Sequence, residues 1–364
     1  MTLRTAYAAS ATFEGARSVA ILPDGHRSRR LHGHSFLASI QCLMPFGIAP
    51  YPGSEVDVMR SRLETQLKKI DYSQLNDFIP VPTDENLARW VNSHCYVPST
   101  QLIGVQSTAD GGVEIDVHGY AHVWRRYAFS SVRRLEGLPL GHVCGREHSH
   151  QFEVIIHADH QIGDGDISID YDYLDSCWAP VEQELNLANL NLLSDLNDPS
   201  SEWLSSWIWN KLKGKVVDLS RVTIYESPSC GVSFNGVVYH VWNEISFSCG
   251  IHKQSLDPTK TGPNLHLQPF LARLYFTLDA EHLNSLSVAN GGAREKVGSV
   301  FQKIDNKLAM DLEGMELGTP KGVAVWIFNS LELELPQIER VELFESRGCG
   351  VIVSSGFFDS VVPV

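Results

Sequence analysis

Residues 147–152 read Glu-His-Ser-His-Gln-Phe, and this stretch decides the fold because close copies of it recur at two other places. Residues 31–36 read Leu-His-Gly-His-Ser-Phe, and residues 265–270 read Leu-His-Leu-Gln-Pro-Phe. The first histidines of the three copies are 116 and 118 residues apart, and a Phe precedes each of them by nineteen positions. A repeat that keeps its phase over such distances predicts three tandem units. We expect these units to be residues 1–124, 125–244 and 245–364.

Each unit is predicted to have the element order ββααββ. After the first His of the motif, apolar residues alternate with polar ones, as in a half-buried strand, for example at His148, His150, Phe152 and Val154. A helical period follows, seen at residues 56–70 in the first copy and at 297–308 in the third. Pro82-Thr83-Asp84-Glu85 is typical of the start of a second helix. Two strands close each unit, such as 222–226 and 232–235.

A single ββααββ unit would leave two strand edges unpaired. Three units in one chain can pair these edges with one another and so remove them. The sequence therefore predicts an α+β protein in which three tandem units close into a pseudo-trimeric, 12-stranded antiparallel β-barrel with its helices outside.

Composition excludes several classes of protein. The 364 residues are 43% apolar and 20% charged, with a formal charge of −14, so binding to nucleic acid is not expected. No run approaches the length of a membrane-spanning helix, and the first residues lack the apolar core of a secretory signal. Seven cysteines without a Cys-x-x-Cys pair argue against a disulfide framework. We expect a cytoplasmic protein that does not bind membranes.

The second unit resembles a known family. The stretch from Phe129 to His150, with Gly-His-Val-Cys-Gly-Arg at 141–146 before its His-x-His pair, is similar to the signature of the 6-pyruvoyltetrahydropterin synthase and 6-carboxytetrahydropterin synthase family. Residues 70–76, residues 82–88 and Glu226-Ser-Pro resemble further family motifs. This resemblance implies the tunnelling fold, a small heterocyclic substrate, with or without phosphate, and a carbon-oxygen lyase reaction. It also implies that two such chains form a homodimer.

The resemblance assigns roles to individual residues. In the family, three histidines hold zinc, a cysteine relays protons with an Asp-His pair, and a late Glu binds the pterin ring. The matching candidate metal ligands are His32, His34, His148 and His150. The matching catalytic residues are Cys144, Asp71 and His148. The late Glu corresponds to Glu226 and Glu345, and Gln106 is aligned with it in the first unit.

The first zinc ligand of the family is missing from every copy. The matching residues are Arg17, Arg133 and Ile251. A guanidinium repels a metal ion and offers no lone pair, so zinc is expected only if His26, His142 or His252 supplies the third ligand. Otherwise the histidine pairs are interpreted as polar residues that face the barrel interior. Arg17 and Arg133 are predicted to bind a phosphate or carboxylate of the substrate instead.

The proton relay is also altered. The family's Asp-His pair is replaced by Asp71-Tyr72, by Asn186-Leu187 and by Asp305-Asn306. Cys144 has arginines and histidines close by in sequence, which favours a lowered thiol pKa; the alternative is a small buried cysteine that only packs.

Three functional hypotheses follow. The chain is an enzyme like the synthases named above, a divergent metal-free enzyme in which Arg holds another anionic substrate, or a pterin-binding or scaffold protein without catalysis. Fold alone does not choose between them.

Overall fold

The computed structural model describes residues 3–43, 47–138, 140–253, 265–279 and 292–356, except for the side chains of 292–296. In the first third of the chain lie β1 (Arg4–Arg17), β2 (His32–Leu43), α1 (Glu55–Leu67), β3 (Ser73–Gln74), α2 (Asp84–His94), β4 (Thr100–Thr108) and β5 (Gly111–Asp116). Next come β6 (Tyr120–Arg133), β7 (His148–Gln161), α3 (Tyr171–Leu185), α4 (Ser201–Leu212), β8 (Leu219–Ser227) and β9 (Cys230–Phe234). Last come β10 (Tyr239–His252), β11 (Leu265–Leu278), α5 (Gly292–Ile304), β12 (Lys307–Leu308), α6 (Pro320–Glu332), β13 (Ile338–Ser346) and β14 (Cys349–Ser354).

Twelve of these strands close into one antiparallel barrel. Starting at β1, neighbouring strands follow the order β1, β2, β4, β5, β6, β7, β8, β9, β10, β11, β13 and β14, and β14 pairs again with β1. The two-residue strands β3 and β12 pair in parallel with β1 and β10. The predicted α+β class and the closed 12-stranded antiparallel barrel are confirmed.

The order ββααββ occurs three times along the chain, if β3 and β12 are set aside. The predicted boundaries at residues 124 and 244 lie within β6 and β10, so a division between elements would come just before Tyr120 and Tyr239. The division into three units stays a prediction.

The helices cover the outer face of the barrel. Val56, Met59, Leu63 and Leu67 of α1 are buried in one core with the strands beneath, and the Cys42 thiol of β2 donates to the Met59 sulfur at 3.4 Å. None of the helices in the described ranges has the length and apolarity needed to cross a membrane.

The predicted helix in the third unit is shorter than its periodicity indicates. It ends at Ile304, and Leu308 belongs to β12. Asn306 adopts φ 57°, and its N–H donates to the carbonyl of Ser248 on β10 at 2.7 Å. This left-handed residue ends the helical path and directs the chain back to the sheet.

The inner faces of the strands fill the barrel. Trp124, Ile155, Tyr225, Trp242 and Tyr275 form a separate buried cluster on the faces opposite the helix-covered core. Polar residues that contact the helices therefore belong to a different surface from those inside the barrel.

Candidate functional site

The two histidine pairs lie at the start of β2 and β7. The ring centroids are 4.9 Å apart in the pair His32–His34 and 4.9 Å apart in the pair His148–His150. The His34 ring lies 5.3 Å from Phe36, which is buried in the core beneath the helices. The interpretation that the pairs face the barrel interior is therefore wrong, because alternation along the strand puts them on the helix-covered face. All four are partly buried.

The first histidine of each pair has a defined tautomer. Nδ1 of His32 lies 2.7 Å from the carbonyl oxygen of Arg30, and Nδ1 of His148 lies 2.7 Å from that of Arg146. A carbonyl only accepts, so Nδ1 carries the proton and, in the neutral ring, Nε2 keeps its lone pair. Nε2 of His148 is buried and has no hydrogen-bond partner. This nitrogen is free to accept a proton or contact a ligand.

Arg133 is the centre of the site in the second predicted unit. Its side chain is fully buried, and its Nη2 lies 2.8 Å from Oε1 of Glu226. Nη1 donates to the Pro199 carbonyl at 3.0 Å, and Nη2 lies 3.3 Å from Nε2 of His150. Ser201 donates its hydroxyl to the other Glu226 oxygen at 2.5 Å. The guanidinium is therefore held on several sides by groups of its own chain.

The buried Arg133 shifts the pKa values of Glu226 and His150 beside it. Burial by itself would raise the pKa of Glu226, but the guanidinium of Arg133 and the Ser201 hydroxyl hold that pKa below its usual value. Burial and the nearby Arg133 cation both lower the pKa of His150. Since a guanidinium can only donate, His150 is neutral and its Nε2 accepts from Arg133.

Cys144 lies in the short turn before β7. Burial raises the pKa of its thiol, and the Glu226 carboxylate raises it further, while Arg133 opposes this. The prediction of a lowered Cys144 pKa is therefore wrong, because sequence proximity counted the cation of Arg133 and not the carboxylate paired with it. The thiol is a neutral proton donor at pH 7, not a thiolate.

The first predicted unit contains a similar buried ion pair with another partner. Nη1 of Arg17 lies 2.7 Å from Oδ1 of Asp84 and donates to the Pro82 carbonyl at 2.9 Å. Oδ2 of Asp84 accepts hydrogen bonds from the Ser107 hydroxyl at 2.7 Å and from the Tyr171 hydroxyl at 2.8 Å. Tyr171 belongs to α3, so this network joins the first and second predicted units.

Strand register corrects the predicted equivalence of Gln106 and Glu226. Gln106 on β4 lies opposite Leu37 on β2. In the second unit the equivalent of Leu37 is Glu153, 116 positions later, and Glu153 lies opposite Tyr225 on β8. Gln106 therefore matches Tyr225, and the residue that matches Glu226 is Ser107. The error arose because three residues fewer separate the His motif from the closing strand in the first unit, 75 from His32 to Ser107 against 78 from His148 to Glu226.

The two units thus exchange a carboxylate and a hydroxyl. In the first unit the helix start supplies the carboxylate of Asp84 and the strand supplies the hydroxyl of Ser107. In the second unit the helix start supplies the hydroxyl of Ser201 and the strand supplies the carboxylate of Glu226. In both units the buried arginine pairs with one carboxylate, and that carboxylate also accepts a hydrogen bond from one serine hydroxyl.

The third predicted unit neutralises its carboxylate differently. Ile251 replaces the arginine, and Nζ of Lys253 lies 2.5 Å from Oε2 of Glu345 and 3.1 Å from a carboxylate oxygen of Asp57. Burial raises the pKa of Glu345, although Lys253 opposes this. In every unit, a cation of the same chain is therefore bound to a buried carboxylate.

Asp71 lies in the turn after α1. Its Oδ1 accepts from the backbone N–H of Glu14 at 2.9 Å, while Tyr72 beside it has φ 52° and is 86% exposed. The described contacts of Asp71 do not include Cys144, so their joint catalytic role stays a prediction.

The residues of the second unit do not fit the zinc site of the family. Zinc needs at least three protein donors with lone pairs. Arg133 stands where the first ligand is expected and uses the lone pair of His150, so only His148 keeps a free nitrogen. The same position in the first unit is held by Arg17, paired to Asp84.

Two of the proposed substitute ligands do not supply a free nitrogen either. Nδ1 of His26 accepts from the backbone N–H of Ser28 at 3.1 Å, and Nδ1 of His142 accepts from that of Cys144 at 3.2 Å. In the neutral ring, Nε2 then carries the proton. For His26, that proton is donated to Asp172 at 2.9 Å. The described histidines at the family's zinc positions therefore do not supply three ligands. A separate group in the described residues, His26, Asp170 and Asp172, has its possible ligand atoms within 4.8 Å of one another.

A cavity of about 470 Å³ lies between the first and second predicted units. Its walls include Ser28, His32 and His34 on one side and Ile169, Asp170 and Tyr171 on the other. Burial, aided by Arg17, lowers the pKa of His34 to about 4, so this imidazole is neutral at pH 7. Its Nε2 is buried without a hydrogen-bond partner. The cavity thus combines the neutral imidazole of His34, apolar walls and carboxylates.

Sequence reasoning missed six side chains of these networks, namely Asp57, Asp84, Ser107, Tyr171, Ser201 and Lys253. Asp84 and Ser201 follow the N-capping residues Thr83 and Ser200, so they were interpreted as parts of helix starts. One signal could have found Asp84. Arg17 lies on the same face of β1 as buried apolar residues, and no carboxylate lies on that face of β1 or β2, so the partner of Arg17 had to come from another element.

Comparison with known proteins bears on the second unit directly. Residues 122–237 match the sequence model of the family described as 6-pyruvoyl tetrahydropterin synthase, and this range includes Arg133, Cys144, both histidines of β7 and Glu226. The matched range covers 116 of the 364 residues. The family predicted for the second unit is therefore confirmed, and the match of the other two units to it stays a prediction.

Solved structures similar to this chain include 6-pyruvoyl tetrahydropterin synthase from Caenorhabditis elegans, at 20% identity over 32% of this chain and 96% of that one, with a TM-score of 0.30. A catalytic-residue mutant of the Plasmodium vivax synthase shares 16% identity over 32% of this chain and 96% of its own, with a TM-score of 0.27. Uricase from Arthrobacter globiformis shares 8% identity over 92% of this chain and 80% of its own, with a TM-score of 0.21.

Proposed function

We propose that this chain binds a pterin or a similarly shaped nitrogen heterocycle in the cavity between its first and second units, and that it does so without zinc. The synthase domain at 122–237 supports the class of ligand. The cavity of about 470 Å³ supports its location, because small-molecule sites usually enclose 300–1,000 Å³.

The observation that carries this proposal is the unpartnered Nε2 of His34 inside the cavity. A buried polar atom without a partner is costly, and a ligand N–H or O–H would satisfy it. The lowered pKa of His34 keeps the ring neutral at pH 7, so Nε2 accepts a hydrogen bond from the ligand when the ring proton is on Nδ1.

Binding of 7,8-dihydroneopterin, followed by its fluorescence, tests the proposal. We expect saturable binding by the whole chain and at least a tenfold loss in Thr108→Trp, since Thr108 is exposed at the cavity wall and a Trp would fill that space. Thr65→Trp, the same change at an exposed position of α1, serves as the control. Equal binding by parent and Thr108→Trp would contradict this location.

A second candidate function is metal-free proton transfer at Cys144 and His148, as in a divergent carbon-oxygen lyase. The observation that favours it is the coexistence of a neutral thiol with a buried imidazole that has a free Nε2. Such a pair could donate and accept a proton at one substrate. Incubation with 7,8-dihydroneopterin triphosphate, with triphosphate release followed over time, tests it; activity must fall in Cys144→Ala and in His148→Gln.

We also propose that the chain forms a homodimer of three-unit barrels, as the family resemblance implies. Light scattering at micromolar concentration is expected to give twice the mass of the 40.5 kDa chain. A monomer alone would contradict this assembly.

A further inference from the structure

The cavity between the first and second units has its cations already neutralised. Three arginines line it, and each is bound to a carboxylate of the same chain: Arg17 to Asp84 at 2.7 Å, Arg27 to Asp172 at 2.7 Å, and Arg125 to Asp175 at 2.9 and 3.2 Å. Among the described residues of its wall, none offers an arginine outside such a pair.

Its acidic residues exceed its basic ones. Glu85, Asp110 and Asp170 also line the cavity. The Glu85 carboxylate accepts from the N–H and hydroxyl of Ser168, and burial raises its pKa. Asp170 accepts from the N–H of Asp172 at 2.9 Å, and Asp110 is exposed in the turn between β4 and β5. Of these groups, the exposed Asp110 and the partly exposed Asp170 add negative potential to a chain whose net charge is −14.

A triphosphate brought into this site would meet carboxylates and would find no free guanidinium. Each of these arginines already shares its charge with a carboxylate, and a move of the buried Arg17 toward a phosphate would leave Asp84 buried and unpaired. A ring that carries N–H donors meets the opposite situation, since carboxylates and neutral imidazoles accept hydrogen bonds.

We infer that the ligand of this cavity is a heterocycle without phosphate groups, either neutral or cationic, and that Asp110 and Asp172 are specificity-determining residues that exclude the triphosphate form. This inference rests on the proposed binding function and narrows its ligand class.

The test compares 7,8-dihydroneopterin with 7,8-dihydroneopterin triphosphate by titration calorimetry in 50 mM salt. We expect the uncharged compound to bind at least tenfold more tightly. Since the discrimination is electrostatic, we also expect it to shrink as the salt concentration is raised.

Variants that change the charge of the cavity wall test whether the cavity causes the weaker binding of the triphosphate. Asp110→Arg puts a cation at the exposed wall, and Asp172→Asn releases Arg27, so each is expected to bind the triphosphate at least fivefold more tightly than the parent does. Glu332→Arg makes the same charge reversal as Asp110→Arg at an exposed position of α6 and is expected to change neither affinity.

The outcomes separate the two claims. Equal or tighter binding of the triphosphate by the parent overturns this inference and leaves heterocycle binding intact. Binding of neither compound by the parent or by either cavity variant overturns both. A gain in triphosphate affinity in Glu332→Arg as large as that in Asp110→Arg also overturns the inference, because net charge and not the cavity would then explain it.

Discussion

Arg133 and Glu226 form a buried ion pair, with Nη2 2.8 Å from Oε1 and the arginine side chain fully shielded from solvent. The arginine stands where the first zinc ligand of the family is expected, and the glutamate stands where the ring-binding carboxylate is expected. One intramolecular contact thus joins the residue that replaces the first zinc ligand to the carboxylate that the family resemblance assigns to ring binding.

The pair is expected to matter for stability. Arg133→Met leaves Glu226 buried and unpaired, which should lower the free energy of unfolding by about 3–5 kcal/mol. Arg133→Met combined with Glu226→Gln removes the uncompensated charge and should recover most of that loss. Chemical denaturation measures both. Lys211→Met breaks the more exposed pairs with Glu184 and Asp195 and should cost at most about 1 kcal/mol. A double variant no more stable than Arg133→Met would contradict the account.

His34 is expected to make stability depend on pH. Its pKa is about 4 in the folded chain, against about 6.5 when unfolded, so the unfolded chain takes up the proton first as pH falls. The contribution of neutral His34 to the free energy of unfolding is therefore fully present above pH 6.5 and is lost as the pH falls toward 4. Between pH 7.5 and pH 5, the parent should lose about 1 kcal/mol more stability than His34→Gln, a figure reduced for partial exposure. The exposed His118→Gln should follow the parent.

Cys144 is expected to react slowly with alkylating agents at pH 7. Its raised pKa leaves little thiolate, and Glu226→Gln should lower that pKa by removing a nearby negative charge. The pH dependence of iodoacetamide labelling, read by mass spectrometry, should therefore shift to lower pH in Glu226→Gln. The partly exposed Cys177 in the same sample is the internal reference. An unchanged labelling profile would show that Glu226 does not act on this thiol.

Tyr72 occupies the position of the family's relay histidine but serves as a left-handed turn residue. At φ 52° and 86% exposure, it carries backbone strain without compensating burial. Tyr72→Gly should therefore raise the free energy of unfolding by about 1 kcal/mol. Tyr96, also exposed, does not adopt a left-handed conformation, and Tyr96→Gly should not stabilise the chain.

The fold could be predicted because its signals are periodic and repeated. Alternation after the His motif predicted β2 and β7, and the Thr83 cap predicted the start of α2. The need to pair strand edges gave the closed barrel.

The site could be predicted only in part, because its partners are distant in sequence. Arg17 and Asp84 are separated by 67 residues, and Arg133 and Glu226 by 93. No period connects such residues. The pKa of Cys144 was mispredicted for the same reason: burial raises it most, and the Glu226 carboxylate, which raises it further, is distant in sequence.

Zinc content tests the central claim most directly. If ion pairs within the chain have replaced the metal, protein purified from zinc-supplemented cells and dialysed should carry at most about 0.1 zinc per chain by mass spectrometry. About one zinc per chain that disappears in His148→Ala would contradict the account.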